Sequence, residues 1–588
     1  MNKSRLFAIL FGLVLVAGLA GLRAQNGFAV KTLRNLVFDQ YQRLSPRKPQ
    51  RQPVRVIDID EASLKIMGQF PWPRIEFAKL ADRLTELGAA AIAFDILFSE
   101  PDRLSPSALL NRSDLKSWLK AKGKDGASSL PDNDRIFAQA ISRAPVVIGF
   151  GTIQSGQNTA PPLKAGFAFT GKDTLSALPQ FESSTPILPG LEKAAAGIGS
   201  ISLSPHGTSD VVRKIPLMWG HGNKAWPGLA LEALRLAQGA STFIVQGASD
   251  TPGIVQGIRA GAFDIDTNEH GELWLHFRKD DPALYVPAYK LLRAGKADDA
   301  RLRKLIEGHI VLVGTSATGL LDIRTTALGE TVPGISIHAQ ALEQILAQDF
   351  LWRPDWVNGA ELLLVIVLGV LFVLSATLLA PVVSLSAGAA VAVLIGAGSW
   401  YGFSRYGFLF DPAFALFTGL VVHFTMTAYR YLITEREARF VRMAFSRYVS
   451  PAVLEEIEDK PDMLQLGGNT RDLTVMFVDV RNFTPLSESL EPQALVAFLN
   501  RLLDELSACV VDERGTIDKY IGDSIMAFWN APLEIENHEE RACRAALRMR
   551  QKMAQLNDDD AFGFHAAGYD FARIAIGVGI NTGPAVAG

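Results

Sequence analysis

Cysteine is almost missing from this chain: two residues in 588, Cys509 and Cys543, both in the carboxyl-terminal third. No disulfide can support the long middle region, whichever compartment holds it, and metal binding through sulfur is excluded. Strong charge of either sign is missing too. A net charge of −3 with 20% charged residues excludes a basic nucleic-acid binder and argues for nothing else. Charge vanishes altogether between Glu361 and Arg405, 43 positions in a row, which makes a buried soluble helix improbable there. At 588 residues the chain is too long for one compact domain, and three or four units are expected.

The uncharged stretch is long enough for two membrane spans, with Pro381 near its midpoint to break them. A further apolar run covers residues 408–429, admitting Asp411 at its edge and His423 inside. Near the amino terminus, residues 6–22 are apolar and follow Lys3 and Arg5. Leu22-Arg23-Ala24 is a poor cleavage signal, so this run reads as an uncleaved anchor. Arg430, Arg436, Arg439 and Arg442 mark the cytoplasmic side of the last span. Counting back gives four spans, with the amino terminus inside and residues 25–357 exported. Arg23, Lys31 and Arg34 lie on the outer side and run against the charge rule.

In the exported region, PVRVIDID (53–60), AAIAFDILFSE (90–100), VVIGFGTI and HIVLVGTSATG read as buried strands, with a helix at 77–87. Strands alternating with helices predict an α/β layer structure on a largely parallel sheet. Residues 103–135 and 152–165 read as surface loops. Asp58, Asp60 and Asp95 at strand ends are read as caps of the following helices rather than as a metal cluster, since no His or Cys accompanies them. GTSATG is a weak anion-cradle signal. His338, on an amphipathic helix, reads as a packed or capping residue.

Past the last span, residues 430–449 alternate charge with Leu432, Phe440, Met443 and Phe445 and predict a helix continuing from the membrane, ended by Pro451. GGNT (467–470) marks the start of the next domain. There the pattern is a strand at 472–480, a helix at 492–511, and a hairpin GTIDKYI–GD–SIMAFW. A helix at 537–557 and a strand at 572–580 follow. This βαββαβ order is that of a ferredoxin-like sheet, in which strand one lies beside strand three. Asp479 and Asp523, 44 positions apart, would then meet at one sheet edge, about 5 Å from each other. Carboxylate oxygens with no His or Cys nearby suit Mg²⁺ or Mn²⁺ rather than zinc, and two such ions could serve phosphoryl transfer. Asn482 tolerates the left-handed backbone that the turn after Asp479 would use.

The motifs IDIDEASL, FPWPR, AFDILFSEPD and VPGISIHAQALEQIL together resemble the type-two CHASE family of extracellular sensor domains, across roughly residues 30–350. That resemblance implies an input module of unknown ligand. FSRYVSPAVLEEI, LTVMFVDVRNFTPLSE, IDKYIGDSIMAFWNAP, NHEERACRAALRM and IAIGVGINTGPAVAG resemble class III nucleotidyl cyclases from about Ala444 onward. By motif position, the likeness implies Asp479 and Asp523 as metal-binding aspartates, with the backbone of Val480 as a further ligand. Phe483 and Thr484 fall where main-chain groups touch the terminal phosphates. Lys519 falls at the base-reading position, where an ammonium can only donate, which suits the acceptor ring nitrogen of adenine better than the protonated one of guanine. The implied reaction converts ATP to 3′,5′-cyclic AMP and pyrophosphate with two Mg²⁺ or Mn²⁺ ions, in a homodimer. The family's transition-state Asn and Arg follow GPAVAG, so none is expected before Gly588, and the catalytic domain is expected to be incomplete and inactive as it stands.

The expected whole is a multidomain α/β membrane protein of the inner (plasma) membrane. It comprises an anchor (1–24), an exported α/β sensor domain (25–357), three further spans (358–430), a juxtamembrane helix and linker (431–470), and a cytoplasmic α+β ferredoxin-like cyclase domain (471–588). Its expected partners are ATP, the membrane, a second copy and an unidentified extracytoplasmic ligand, and no nucleic acid. A guanylate cyclase and a nucleotide-binding receptor without catalysis are the alternatives. A diguanylate cyclase lacks its GGDEF-like hairpin here, and a histidine kinase lacks its phospho-acceptor His.

Overall fold

The computed structural model describes residues 3–106, 108, 131–156, 159–205, 211–317, 320, 322–445, 469–531, 533–569, 571 and 573–587. Two compact units divide the chain, Met1–Thr427 and Ala428–Gly588.

The larger unit is built on six parallel strands: β1 (Val54–Ile59), β2 (Ala91–Leu97), β3 (Val146–Phe150), β4 (Gly197–Ser200), β5 (Tyr285–Pro287) and β6 (Ile310–Thr315). Their order is β5-β1-β6-β2-β3-β4. The expected α/β layering is present, and alternation along each strand divides the core in two. Val54, Val56, Ala91, Ala93, Ile310 and Leu312 pack on one side, against helices α3 (Leu229–Ala237) and α4 (Gly334–Ala347). Ile57, Ile59, Ile92, Phe94, Val311 and Val313 pack on the other, around Phe77, Phe98 and Phe137. A sheet covered on both faces reads as continuous apolar runs, which is why these strands stood out. A second, four-stranded sheet (Gly166–Thr170, Thr242–Gly247, Val255–Ala260, Phe263–Asp266) was not foreseen. Its strands are short, Gly166–Thr170 is largely exposed, and the pairing of that strand with Thr242–Gly247 joins residues far apart in sequence.

Of the three strand-end aspartates expected to cap helices, Asp60 alone does so. Its side chain accepts from Ser63 N at 2.7 Å and starts the helix Glu61–Met67. Asp58 instead accepts the Ser316 hydroxyl at 2.6 Å, and burial raises its carboxyl to about 6. Asp95 caps nothing. His338 is packed as expected: it is buried on α4 with Nε2 3.3 Å from Ile201 O, and burial lowers it to about 4, leaving a neutral ring. In GTSATG, residues 318 and 319 lie outside the described residues.

Among the described residues, three helices are long and apolar enough to cross a membrane: Leu6–Ala24 within α1 (Lys3–Ala24), α5 (Val357–Leu378) and α6 (Pro381–Tyr406). This corrects the expectation of four. The run at 408–429 becomes helical only from Ala413, in α7 (Ala413–Phe445), and Thr418, His423, Thr425 and Thr427 dilute its apolar character before Arg430. Thr418 and His423 are buried rather than outward-facing, the latter with its ring 6.1 Å from Phe372 of α5. Small residues allow α1 and α5 to approach closely. A Cβ at Gly12 would lie 2.6 Å from Val373, and one at Gly369 would lie 2.7 Å from Val16. At the end of this bundle Glu361 accepts from Arg23, from Arg353 Nη1 at 2.9 Å and from Asp411 N at 2.8 Å. The ends of α1 and α5 and the segment leading into α7 are thereby fastened together. The juxtamembrane helix is described to Phe445; its expected continuation through 449, Pro451 and the linker to 468 lie outside the described residues.

The second unit has strands β7 (Asn469–Val480), β8 (Thr516–Ile521), β9 (Ser524–Trp529) and β10 (Ile576–Ala587). Its helices are α8 (Phe483–Ser489), α9 (Pro492–Asp512) and α10 (His538–Asp558). The sheet is antiparallel in the order β8-β9-β7-β10, so strand one lies beside strand three, as the ferredoxin-like pattern requires. Met476, Val478 and Val480 of β7 and Ile525, Ala527 and Trp529 of β9 pack against α9 and α10. One strand corrects the sequence reading: β10 runs on through Pro584 to Ala587 instead of stopping near Ile580. It pairs with the whole length of β7, and as the edge strand it tolerates a proline without losing a needed hydrogen bond.

Candidate active site

Alternation places the chemistry. Along β7, Met476, Val478 and Val480 are buried, so Phe477 and Asp479 stand on the opposite, helix-free face. The register of β7 with β9 pairs Val478 with Ile525, which sets Ser524 opposite Asp479. The Ser524 hydroxyl indeed donates to Asp479 Oδ1. Asp523 occupies the second position of a two-residue hairpin loop, after Gly522 at φ 66°, a placement that a type II′ turn reserves for glycine. The turn brings the Asp523 carboxylate back over the end of β7, where Oδ2 accepts from Val480 N at 3.3 Å.

Asp479, Val480 and Asp523 therefore come together as expected. Burial, and beyond it the negative charge of Asp479, push the Asp523 carboxyl above its ordinary range. No cluster of three or more His, Cys, Asp or Glu side chains suited to a metal occurs among the described residues. Any cation here would depend on two carboxylates and backbone oxygen. That all-oxygen set, with two like charges crowded at one edge, fits a hard divalent ion that would relieve the crowding.

After β7, Asn482 adopts the left-handed conformation (φ 57°, ψ 36°) and turns the chain directly into α8, which starts at Phe483 and Thr484. Both residues sit within a few positions of Asp479. Lys519 is on β8, separated from β7 by β9. A bulge between Ile517 and Lys519 shifts the register, so that Lys519 pairs with Met526, which in turn pairs with Phe477. Without that extra residue Lys519 would point into the core with Ile517; the bulge turns it onto the face that carries Asp479. Its ammonium lies 3.2 Å from Asp518 and is well exposed. Two strand spacings and two residues separate its backbone from that of Asp479, about 12 Å.

Ser524 was missed in the sequence, although the hairpin GDS and the expected neighbour relation of strands one and three contain the signal.

Two family models match the chain. The CHASE2 domain covers residues 11–374, and the adenylate and guanylate cyclase catalytic domain covers residues 468–588. Among curated relatives, the adenylate cyclase of Anabaena cylindrica is 33% identical over 150 residues, 26% of this chain and 27% of its own length. Adenylate cyclase 1 of Rhizobium meliloti is 37% identical over 118 residues, 20% of this chain and 17% of its own length. The crystal structure of the adenylyl cyclase CyaB from P. aeruginosa is 36% identical, covering 21% of this chain and 61% of that one, with a TM-score of 0.19. The chain belongs to the CHASE2 family, with a class III adenylate/guanylate cyclase catalytic domain behind it. It spans about a quarter or less of the length of these two curated relatives.

Proposed function

We propose that this protein is a membrane adenylate cyclase, converting ATP to 3′,5′-cyclic AMP and pyrophosphate in intracellular signalling under control of its CHASE2 unit. The observation that carries this reading is the meeting of Asp479 and Asp523 at one edge of the helix-free sheet face.

Asp479, Asp523 and the Val480 carbonyl are the groups that would hold Mg²⁺ or Mn²⁺. Such ions supply acidity to the ribose 3′-hydroxyl and neutralise charge on the triphosphate. Ser524 orients Asp479 by its hydroxyl, and Val480 N fixes the angle of Asp523. The turn at Asn482 presents the Phe483 and Thr484 backbone toward the phosphates. Lys519, re-aimed by its bulge onto the same face, donates to the adenine ring nitrogen across a gap of about 12 Å, which suits a base held away from its phosphates. That open face carries Phe477, nearly half exposed in mid-sheet, and its apolar character favours a second catalytic domain as its cover in a homodimer. The apolar helices hold the protein in the plasma membrane; for the catalytic unit to lie on the ATP-containing side and residues 25–357 on the other, the apolar start of α7 must cross as well as α5 and α6.

The test is nucleotide choice by the full-length gene product, including any residues that follow Gly588, in native membranes with Mn²⁺. ATP is expected to give cyclic AMP at least about tenfold faster than GTP gives cyclic GMP, the ratio that one charged hydrogen bond sustains. A preference for GTP overturns the substrate assignment; nucleotide binding with neither product overturns catalysis.

A further inference from the structure

The CHASE2 unit has a cavity of its own, about 1610 Å³, and its position is informative. Four adjacent strands, β6-β2-β3-β4, point their carboxyl ends into it, through Thr315, Asp95, Gly151 and Ser202. The crevice outside the carboxyl ends of parallel strands is where α/β sheets bind small molecules, because the loops there are free to diverge. Strand β2 is distorted at this point. Its pairing with β3 slips between Phe94 and Leu97, so Asp95 sits in a bulge. Gly149 on β3 permits the distortion: a Cβ there would lie 2.7 Å from Phe94 O. Bulges of this kind re-aim a side chain, and the one re-aimed here is a carboxylate.

Most charged groups around the cavity have partners of opposite sign. Arg213 holds Asp39 at 2.7 Å, Arg324 holds Asp322 at 3.0 Å, and Lys214 pairs with Glu272. Arg353 holds Glu361 at 2.9 Å, His270 lies 3.6 Å from Glu269, and Arg34 lies 3.8 Å from Asp411. Two groups remain. Asp95, half-buried, and Lys31, exposed on α2 (Phe28–Leu44), line the same cavity without a hydrogen-bonding or ion-pair partner among the described residues. Water satisfies Lys31 cheaply, but a half-buried carboxyl is costly to leave unmatched. Burial, then the charge of Asp322, holds Asp95 well above the ordinary carboxylate range, against the opposing charge of Arg324, which is itself held by Asp322.

We infer that this crevice is the ligand site of the CHASE2 unit, and that its ligand is a zwitterionic small molecule whose amine sits on Asp95 and whose acid group faces Lys31. The unpaired carboxyl at the strand ends and the unpaired ammonium on α2 define that complement. The cavity exceeds the 300–1,000 Å³ usual for small ligands, so the site has room for a ligand of oligopeptide size as well as for a compact amino acid. Arg353 connects it to the membrane helices, since this residue lines the cavity and also grips Glu361 of α5. The inference concerns residues remote in sequence from the catalytic unit and stands or falls independently of the cyclase reading.

The experiment is a thermal-shift series on the full chain in lipid nanodiscs. The probes are ω-amino acids from glycine to 8-aminooctanoate at 10 mM, with hexylamine and hexanoate as single-charge controls. At least one ω-amino acid is expected to raise the melting temperature of the CHASE2 transition by 2 °C or more, and both controls by less. In Asp95→Asn the ligand-free protein is expected to melt no lower than wild type, because an unmatched carboxyl is removed, while the probe response disappears. In Lys31→Ala the apparent affinity is expected to fall about tenfold or less, since that group is exposed. Failure of every probe to shift wild type, an undiminished response in Asp95→Asn, or an equal response to hexylamine overturns the assignment. If Asp95→Asn instead melts well below wild type, the carboxyl is a structural group and the inference likewise fails.

Discussion

Both units of this protein carry aspartates at the ends of strands, and the two sheets put them to different uses. In the parallel sheet of the CHASE2 unit β1 leads directly into a helix, so its end meets a backbone amide and a hydroxyl. Asp60 caps a helix and Asp58 takes the Ser316 hydroxyl. In the antiparallel sheet of the catalytic unit, strand one ends where strand three begins, so Asp479 meets Asp523, and neither carboxylate has an ion-pair partner among the described residues. The same residue type is thus quenched by one topology and concentrated by the other. Asp95 is the exception in the parallel sheet, and a bulge accounts for it.

Breaking the concentrated pair has the largest predicted effect. Asp479→Ala or Asp523→Ala in the full-length gene product lowers cyclic AMP formation with Mn²⁺ on the order of 10³-fold, measured as initial rate, with the melting temperature held or raised. A loss of tenfold or less in either variant removes the pair from the chemistry.

Asp58 shows the limit of that quenching: its Oδ2 takes the Ser316 hydroxyl, while its Oδ1 is buried with no hydrogen-bond partner among the described residues. Its folded value, about 6, lies above the ordinary value of 3.8, so the folded unit binds the extra proton more readily than the unfolded chain does. This group's contribution to stability is therefore greatest in acid, declines as pH rises from about 4 to 6, and is fully lost above that window. Asp58→Asn removes the decline, a difference of up to roughly 3 kcal/mol between pH 4 and 7. Melting curves of wild type and variant across that range check it; parallel curves contradict the assignment.

Lys519→Glu sharpens the reading of the helix-free face. Reversing a charged donor is expected to cut kcat/KM for ATP by about 10–100-fold and to raise relative use of GTP. An unchanged ratio leaves Lys519 as an ordinary surface lysine. The smallest effect belongs to the cap: Asp60→Ala costs about 1 kcal/mol, read as a lower melting temperature of the CHASE2 transition with cyclase rate unchanged.

Much of this was legible in the sequence where the signal is local. The apolar runs at 53–60, 90–100 and 310–315 became strands, because a doubly covered parallel sheet writes itself as uninterrupted hydrophobicity. The order of elements after residue 469 was enough to predict which strands are neighbours, and with it the meeting of Asp479 and Asp523. Ser524 escaped because its role follows from register rather than from composition. The bulges at Asp95 and Lys519 escaped because one extra residue in a strand leaves no periodic trace. Glu361 was seen only as the boundary of an uncharged run, whereas it grips Arg23, 338 positions away. The apolar part of α7 reads as a span by length, yet it buries two polar residues: Thr418, whose hydroxyl donates to Phe414 O at 2.9 Å, and His423, which packs on Phe372 of α5.

The central claim is that two carboxylates, brought together by strand order, jointly hold divalent cations against a nucleotide. Calorimetric titration of Mn²⁺ into the full-length protein with 3′-deoxy-ATP, which lacks the attacking hydroxyl, tests it without requiring turnover. Saturable Mn²⁺ binding that depends on the nucleotide is expected in wild type and is expected to vanish in both Asp479→Ala and Asp523→Ala. Binding that survives in either variant would contradict the account.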